Sequence, residues 1–302
     1  MTTEAIPLET AVEPLAPPSL RQRQWIQVLR VASRLTRTRI GLAIVTLMVL
    51  IAIFGPVVAP HSPTEFVALP NTGPSGHALF GADYIGRDIF SRFLYGGRTV
   101  IGLAVLTTAL GVSLGVLVGL TAAYSSGIVD EVLMRICDVF LAFPQILFAL
   151  LLVAALGPKL WLLVLAIAIT HAPRVARVMR GAALQVVERD FVKAAEAVGE
   201  KRRRIVLGEL LPNVTSPLLV EIGLRLTYSI GLVAALSFLG FGIQPPNADW
   251  GLMIFENRLS ITVQPWGVLL PVLAIGVLTI GTNLVTDGIA RAAIGLDRGS
   301  ES

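Results

Sequence analysis

A few charged side chains set against apolar surroundings carry what chemistry this chain has to offer. Glu221 and Arg225 stand four residues apart inside an apolar block, one helical turn from each other, at the spacing of an ion pair. Asp83, Arg87, Asp88, Arg92 and Arg98, with Gly86 among them, crowd a second stretch. Two readings stand there: a folded cap held by internal ion pairs, or a contact surface for another protein. A third stretch, Phe191 to Asn213, reads FVKAAEAVGEKRRRIVLGELLPN and is basic and amphipathic. None of the three is a catalytic constellation. His61, His77 and His171 are scattered without metal-ligand spacing, and the single cysteine, Cys137, reads as a small packing residue. The only lysines are Lys159, Lys193 and Lys201, and none ends a GxxxxGK(S/T) phosphate loop. With no nucleophile beside a base either, the chain is expected not to be an enzyme and to bind no cofactor or metal of its own.

The elements that position these residues follow from the hydrophobic pattern. Of the 302 residues 54% are hydrophobic and 15% charged, where a soluble domain carries about 25% charged residues. Long apolar blocks alternate with short polar ones, as in a membrane protein that is all-α. A spanning helix needs about 20 apolar residues, with every backbone group paired internally. Six blocks qualify, at about 40–59, 99–124, 139–156, 160–176, 216–239 and 266–290. Gly157-Pro158-Lys159 separates the third and fourth, which predicts a tight hairpin. Basic residues resist translocation and set the orientation. With the N-terminus inside, only Arg87, Arg92, Arg98, Lys159 and Arg258 lie outside, and Arg225 falls within a span; every other one of the 24 lysines and arginines is cytoplasmic. Both termini and the Phe191–Asn213 stretch are therefore expected in the cytoplasm.

Within this frame Arg225 sits about ten residues into the fifth span. A charge there is a functional candidate by default, and the alternatives are a buried structural pair with Glu221, snorkelling to the cytoplasmic face, or a pore-facing group. Gly111, Gly115 and Gly119 recur every four residues in the second span and permit close helix contact, within this chain or with a second one. Asp138, Asn283 and Asp287 fall near cytoplasmic ends of spans, and Trp250 and Trp266 suit an interfacial aromatic belt. Residues 1–39 form a cytoplasmic tail rich in Pro, Glu and Gln, expected to be mostly disordered, with an amphipathic anchor over 25–35 as the alternative. The first block begins too late and runs too long for a cleavable signal peptide. A membrane domain over 40–295 and a short tail at 296–302 complete the division.

In the basic stretch Phe191, Ala194, Ala195 and Val198 fall at i, i+3, i+4 and i+7, one stripe of a two-turn helix. Asp190 is its expected N-cap and Gly199 its stop. The stripe is mostly alanine, so another surface can approach closely. Lys201 to Arg204 follow. Two readings are equally open from physics: a helix lying on anionic headgroups, or a docking helix for a cytoplasmic partner.

Here the sequence resembles a known family. Lys193-Ala194-Ala195, Gly199 and Leu211-Pro212 keep the spacing of the EAA loop (about 181–213) in permease subunits of ABC importers. Lys193 replaces the usual glutamate, and Glu209 stands where a hydrophobic residue or histidine is common. FGADYIGRDIFSRFLYGGR, from Phe80 to Arg98, resembles a signature of the second permease of dipeptide, oligopeptide and nickel importers, with Ala82 for the usual threonine. LSFLGFGIQPPNADWGLM, from Leu236 to Met253, and VDEVLMRICDVFLAFP, from Val129 to Pro144, resemble the same family. The resemblance implies a type I importer permease fold in a bacterial-type inner membrane, paired with a second homologous permease. It implies two cytoplasmic subunits that hydrolyse ATP, an extracytoplasmic substrate-binding protein, membrane lipid and no nucleic acid as partners. Phe191, Lys193, Ala194, Ala195, Glu196, Val198, Gly199, Leu211 and Pro212 would form the ATPase-docking surface, and peptides would be the cargo, with nickel or another small solute as the alternative. A secondary transporter would need coupling-ion ligands and repeated halves; a membrane enzyme would need a catalytic cluster. The sequence shows no strong internal repeat and no catalytic or metal-binding cluster at one depth.

Overall fold

In a computed structural model, residues 24–125 and 127–300 are described, and the architecture is helical throughout. Helix α1 (Gln24–Ala32) precedes α2 (Thr36–Val58), α3 (Ile89–Ser125), α4 (Gly127–Ala142), α5 (Gln145–Leu156) and α6 (Leu160–Val187). Then come α7 (Asp190–Ala197), α8 (Arg202–Arg204), a π-helical turn (Ile205–Leu210), α9 (Leu211–Asn213), α10 (Thr215–Phe238), α11 (Trp250–Asn257) and α12 (Trp266–Ser300). The only β pairing among the described residues is two isolated bridges, Phe66 to Arg87 and Ala82 to Asp88, in the segment before α3.

Five helices, α2, α3, α6, α10 and α12, are each long and apolar enough to cross a membrane. The expected third span is different. It is a pair, α4 and α5, that meet at 87°. Pro144 explains the break: it has no amide hydrogen, and its ring drives the preceding residue out of helical geometry, so α4 ends at Ala142 and α5 begins at Gln145. The hairpin after it is as expected, with Gly157 at a positive φ of 88° between α5 and α6. Other helices outrun their apolar blocks. α3 starts ten residues before 99, so Ile89 to Arg98 are its first turns, and α6 continues past 176 to Val187.

The tightest packing is α3 on α6, and its cause is the glycine series. A Cβ on Gly115 would lie 2.5 Å from the Cβ of Val175 and 2.7 Å from the Ala172 carbonyl oxygen. Gly111 meets His171 and Ala168 in the same way, and Gly119 meets Ala176 and Met179. The three glycines thus pack within this subunit rather than against a second one. α1 lays Val28 and Ala32 on Ala292 and Ala293 of α12, with Leu219 of α10 beside them. Within the 25–35 stretch a helix runs from Gln24 to Ala32, while residues 1–23, where disorder is expected, lie outside the described residues. The backbone of α12 stays helical through the start of the expected C-terminal tail, as far as Ser300.

Candidate functional site: a docking knob, a charged cap and a mid-span pair

α7 projects where α3, α6 and the approach to α10 converge. One side chain anchors it. Val192 is fully buried among Leu120 and Ala123 of α3, Met179, Ala183 and Val186 of α6, and Ile205, Leu210 and Val214 beyond it. Phe191 and Ala195 lean on the same cluster and are half-buried. The remaining turn faces outward: Lys193, Ala194, Glu196, Ala197, Val198 and Gly199 are exposed, Val198 at 84%. The predicted stripe is therefore split. Phe191 and Ala195 belong to the base, Ala194 and Val198 to the tip, and the true anchor, Val192, lies between them in sequence. The signal for it is the next residue along the helix surface, a β-branched one, adjoining an alanine-rich face.

Two local details set the shape of this knob. The N-cap is Arg189, not Asp190, which occupies the first helical position; there its charge complements the helix dipole without a capping bond. At the other end Gly199 adopts φ 82°, its amide donates to the Glu196 carbonyl at 2.9 Å, and the Glu200 amide donates to the Ala195 carbonyl at 3.1 Å. This is a complete Schellman closure, and it needs a residue that tolerates left-handed backbone. Leu211 and Pro212, also expected in the docking surface, are half-buried in α9 and support the knob from behind. Lys201 to Arg204 are all exposed beside it, Arg204 pairing with Glu200 at 3.3 Å.

The other end of α3 carries the charged cap, whose charges pair with one another inside the chain. Asp83, Arg87, Asp88 and Arg92 are buried, Arg92 completely. Arg87 Nε donates to Asp83 Oδ2 at 2.7 Å, and its Nη2 donates to Glu256 Oε2 at 3.0 Å. Arg92 Nη2 reaches the same Glu256 oxygen at 2.7 Å, and its Nη1 donates to the Pro63 carbonyl at 3.1 Å. Asp83 Oδ1 accepts from the amides of Ile85 and Arg87, and Asp88 Oδ2 accepts from the Ser91 amide and hydroxyl. Two carboxylates and two guanidiniums form a neutral quartet that ties the loop before α3 to α11. Gly86, at φ 99°, is buried against the Ala68 carbonyl. Of the residues weighed as a contact surface for another protein, Asp83, Gly86, Arg87, Asp88 and Arg92 are interior. Only Arg98 is exposed. Glu256, which completes the quartet, lies 164 residues from Arg92, and no local pattern marks it. Trp250 is likewise not a belt residue: it is fully buried, with its indole NH donating to the Phe93 carbonyl at 2.9 Å. Its neighbour Asp249 caps α11 through the Leu252 amide at 3.0 Å, and burial pushes that carboxyl up to about 6.

Within the spans Glu221 and Arg225 are both buried, with Arg225 Nε 3.1 Å from Glu221 Oε2. The distance is that of an ion pair, but the alignment makes no hydrogen bond, and Arg225 Nε and Nη1 have no hydrogen-bond partner among the described residues. Tyr228 stacks its ring 5.2 Å from the Arg225 guanidinium. One turn on, Ser229 accepts a hydrogen bond from Thr108 of α3 at 2.9 Å and meets His171 Nε2 of α6 at 3.0 Å. Sequence reading had no means of grouping Thr108, His171 and Ser229, since three helices contribute one residue each. Asp138 pairs with Arg177, and Asp130 with Arg180, fixing α4 to α6.

The family model for the binding-protein-dependent transport system inner membrane component matches residues 111–294. The chain belongs to this family. A second model, the N-terminal transmembrane domain of oligopeptide transport permease C, matches residues 23–74. The chain is 37% identical over 298 residues to a dipeptide transport system permease protein of Alkalihalophilus pseudofirmus, covering 96% of this chain and 97% of that one. It is 36% identical over 281 residues to a glutathione transport system permease protein of Shigella dysenteriae, covering 92% and 93%. Solved structures share the fold: the inward-facing MetNI methionine ABC transporter, with a TM-score of 0.50 at 16% identity, covers 66% of this chain and 96% of its own. An amino acid ABC transporter gives 0.51 at 20% identity, covering 66% and 93%. This permease chain is thus a multi-pass membrane protein whose relatives serve peptide, dipeptide and glutathione ABC importers.

Proposed function

We propose that this permease lines half of a path for peptides through a bacterial inner membrane and that α7 is where ATP-driven motion enters it. The observation that carries the reading is the construction of α7. Its apolar tip, Val198, stands in the open while Val192 anchors its base and the Gly199 closure fixes its end, which suits a surface that another protein grips. A second, homologous permease encloses the other side of the path, an extracytoplasmic binding protein delivers the peptide, and two ATPase subunits seat the two knobs. Closure of the ATPases on ATP draws the knobs together. α7 rests on α3 and α6, the most tightly joined pair of spans, so its displacement tilts them as a rigid body. The six-span count, with α4 and α5 as one broken span, and the cytoplasmic placement of both termini belong to this reading; α1 and the end of α12 lie at the same end of the bundle as α7, in keeping with it. ATP is bound and hydrolysed by the partners, and this chain binds no cofactor.

The test is a deletion strain assayed for uptake of labelled di- and tripeptides, together with affinity isolation of the tagged chain from solubilised membranes. Loss of uptake and co-isolation of a second permease and an ABC ATPase are expected. Unchanged uptake with no ATPase in the isolate would overturn the reading.

A further inference from the structure

We propose that Arg225, shielded by Tyr228, is a station in the path for a carboxylate of the transported solute. This rests on the permease reading and assigns it a site. Arg225 stands about 15 Å along α10 from Thr215, near the middle of a hydrocarbon layer about 30 Å thick. A buried arginine there is normally satisfied by several acceptors. Arg225 has a misaligned Glu221 and two nitrogens without a hydrogen-bond partner among the described residues. Its planar fork is built to take a carboxylate in two parallel hydrogen bonds. Arg174, half-buried three residues after His171 on α6, brings a second guanidinium to the neighbourhood: both arginines lie within electrostatic reach of the His171 ring. The local surplus of positive charge over Glu221 suits an anion.

Access is through Tyr228. Its ring lies over the guanidinium and is itself 55% exposed. Gly231, exposed one turn beyond Tyr228, leaves the approach to the ring open. An exposed aromatic lid over a buried, under-satisfied arginine is what a station on a wet path requires. Glu221 acts as the resting counter-charge that keeps Arg225 neutralised when no solute is present, so that the carboxylate is held only in passing.

The experiment uses the assembled transporter. Tyr228→Cys is placed in a Cys137→Ser background, since Cys137 is the only native cysteine of the chain. Modification of this chain is timed with a negatively charged sulfonate thiosulfonate reagent and with its trimethylammonium counterpart, each normalised to its rate on free cysteine. The anionic reagent is expected to be favoured at least about fivefold, the effect of unit charges a few ångströms apart in a medium of intermediate dielectric. The preference is expected to fall to about one when Glu221→Gln and Arg225→Gln are added together, a pair that leaves no lone buried charge. No modification by either reagent overturns the proposal, because Tyr228 then faces lipid or protein. Equal modification, or a cationic preference, overturns it too. Peptide uptake by the unsubstituted complex separates the two levels: uptake with a failed labelling result sinks the carboxylate station alone, and absent uptake sinks the permease reading on which it rests.

Discussion

Replacing Gly199 by valine should uncouple the transporter without removing it from the membrane, and the cost follows from backbone geometry. A Cβ at position 199 meets nothing within 4 Å, so sterics within this chain do not decide the outcome. What decides it is φ 82°. The chain can accept the left-handed strain, about 1–2 kcal/mol for an ordinary residue and more for a β-branched one. Or it can release the closure and lose the two hydrogen bonds made by the Gly199 and Glu200 amides, about 0.5–1.5 kcal/mol each. Either route costs about 2 kcal/mol, which lowers the ratio of closed to open knob by about thirtyfold. Peptide uptake should therefore fall in the order glycine, asparagine, alanine, valine, because asparagine tolerates left-handed backbone. Gly199→Asn should stay close to the parent and Gly199→Val should lose at least about tenfold, at equal membrane levels of this chain. Parent-like uptake from Gly199→Val would refute the reasoning. So would Gly199→Asn as damaging as Gly199→Val, since side-chain bulk and not backbone would then be at fault.

Glu256→Ala leaves Arg87 and Arg92 facing each other with one carboxylate, and breaking a buried pair of this kind costs about 3–5 kcal/mol; the purified chain should melt well below the parent, while Arg98→Ala, on an exposed side chain, should not shift the melt. Equal melting of Glu256→Ala and the parent would remove the quartet as the cement of the cap. Gly115→Leu should prevent α3 from seating on α6 and abolish assembly, whereas Gly102→Ala, with open space around it, should be silent in the same co-isolation assay. Assembly that survives Gly115→Leu would show that the two helices do not pack as described.

What was legible in the sequence depended on whether the signal was local. Five of the six expected spans, the turn at Gly157 and the closure at Gly199 each follow from a few neighbouring residues, and each has its counterpart in the structure. The glycine series was visible too, and only its partner, α6, had to come from the fold. The break at Pro144 was also legible in principle: proline within an apolar run marks a bend, but counting apolar residues across it joins two helices into one. Nothing local pointed to Glu256, nor to the meeting of Thr108, His171 and Ser229, because those contacts exist only once distant helices are packed. The charges at 83–92 illustrate the same limit from the other side. A dense charged cluster in sequence suggests a wet surface, and burial with exact ionic pairing looks identical until the missing carboxylate is found.

The central claim is that α7 is the grip for the ATP-driven partner, and position 198 tests it most directly. A photo-crosslinking amino acid placed there in the assembled transporter, at a side chain 84% exposed, should join this chain to an ABC ATPase subunit upon illumination. Crosslinks to lipid alone, or to the binding protein on the opposite face, would contradict the account.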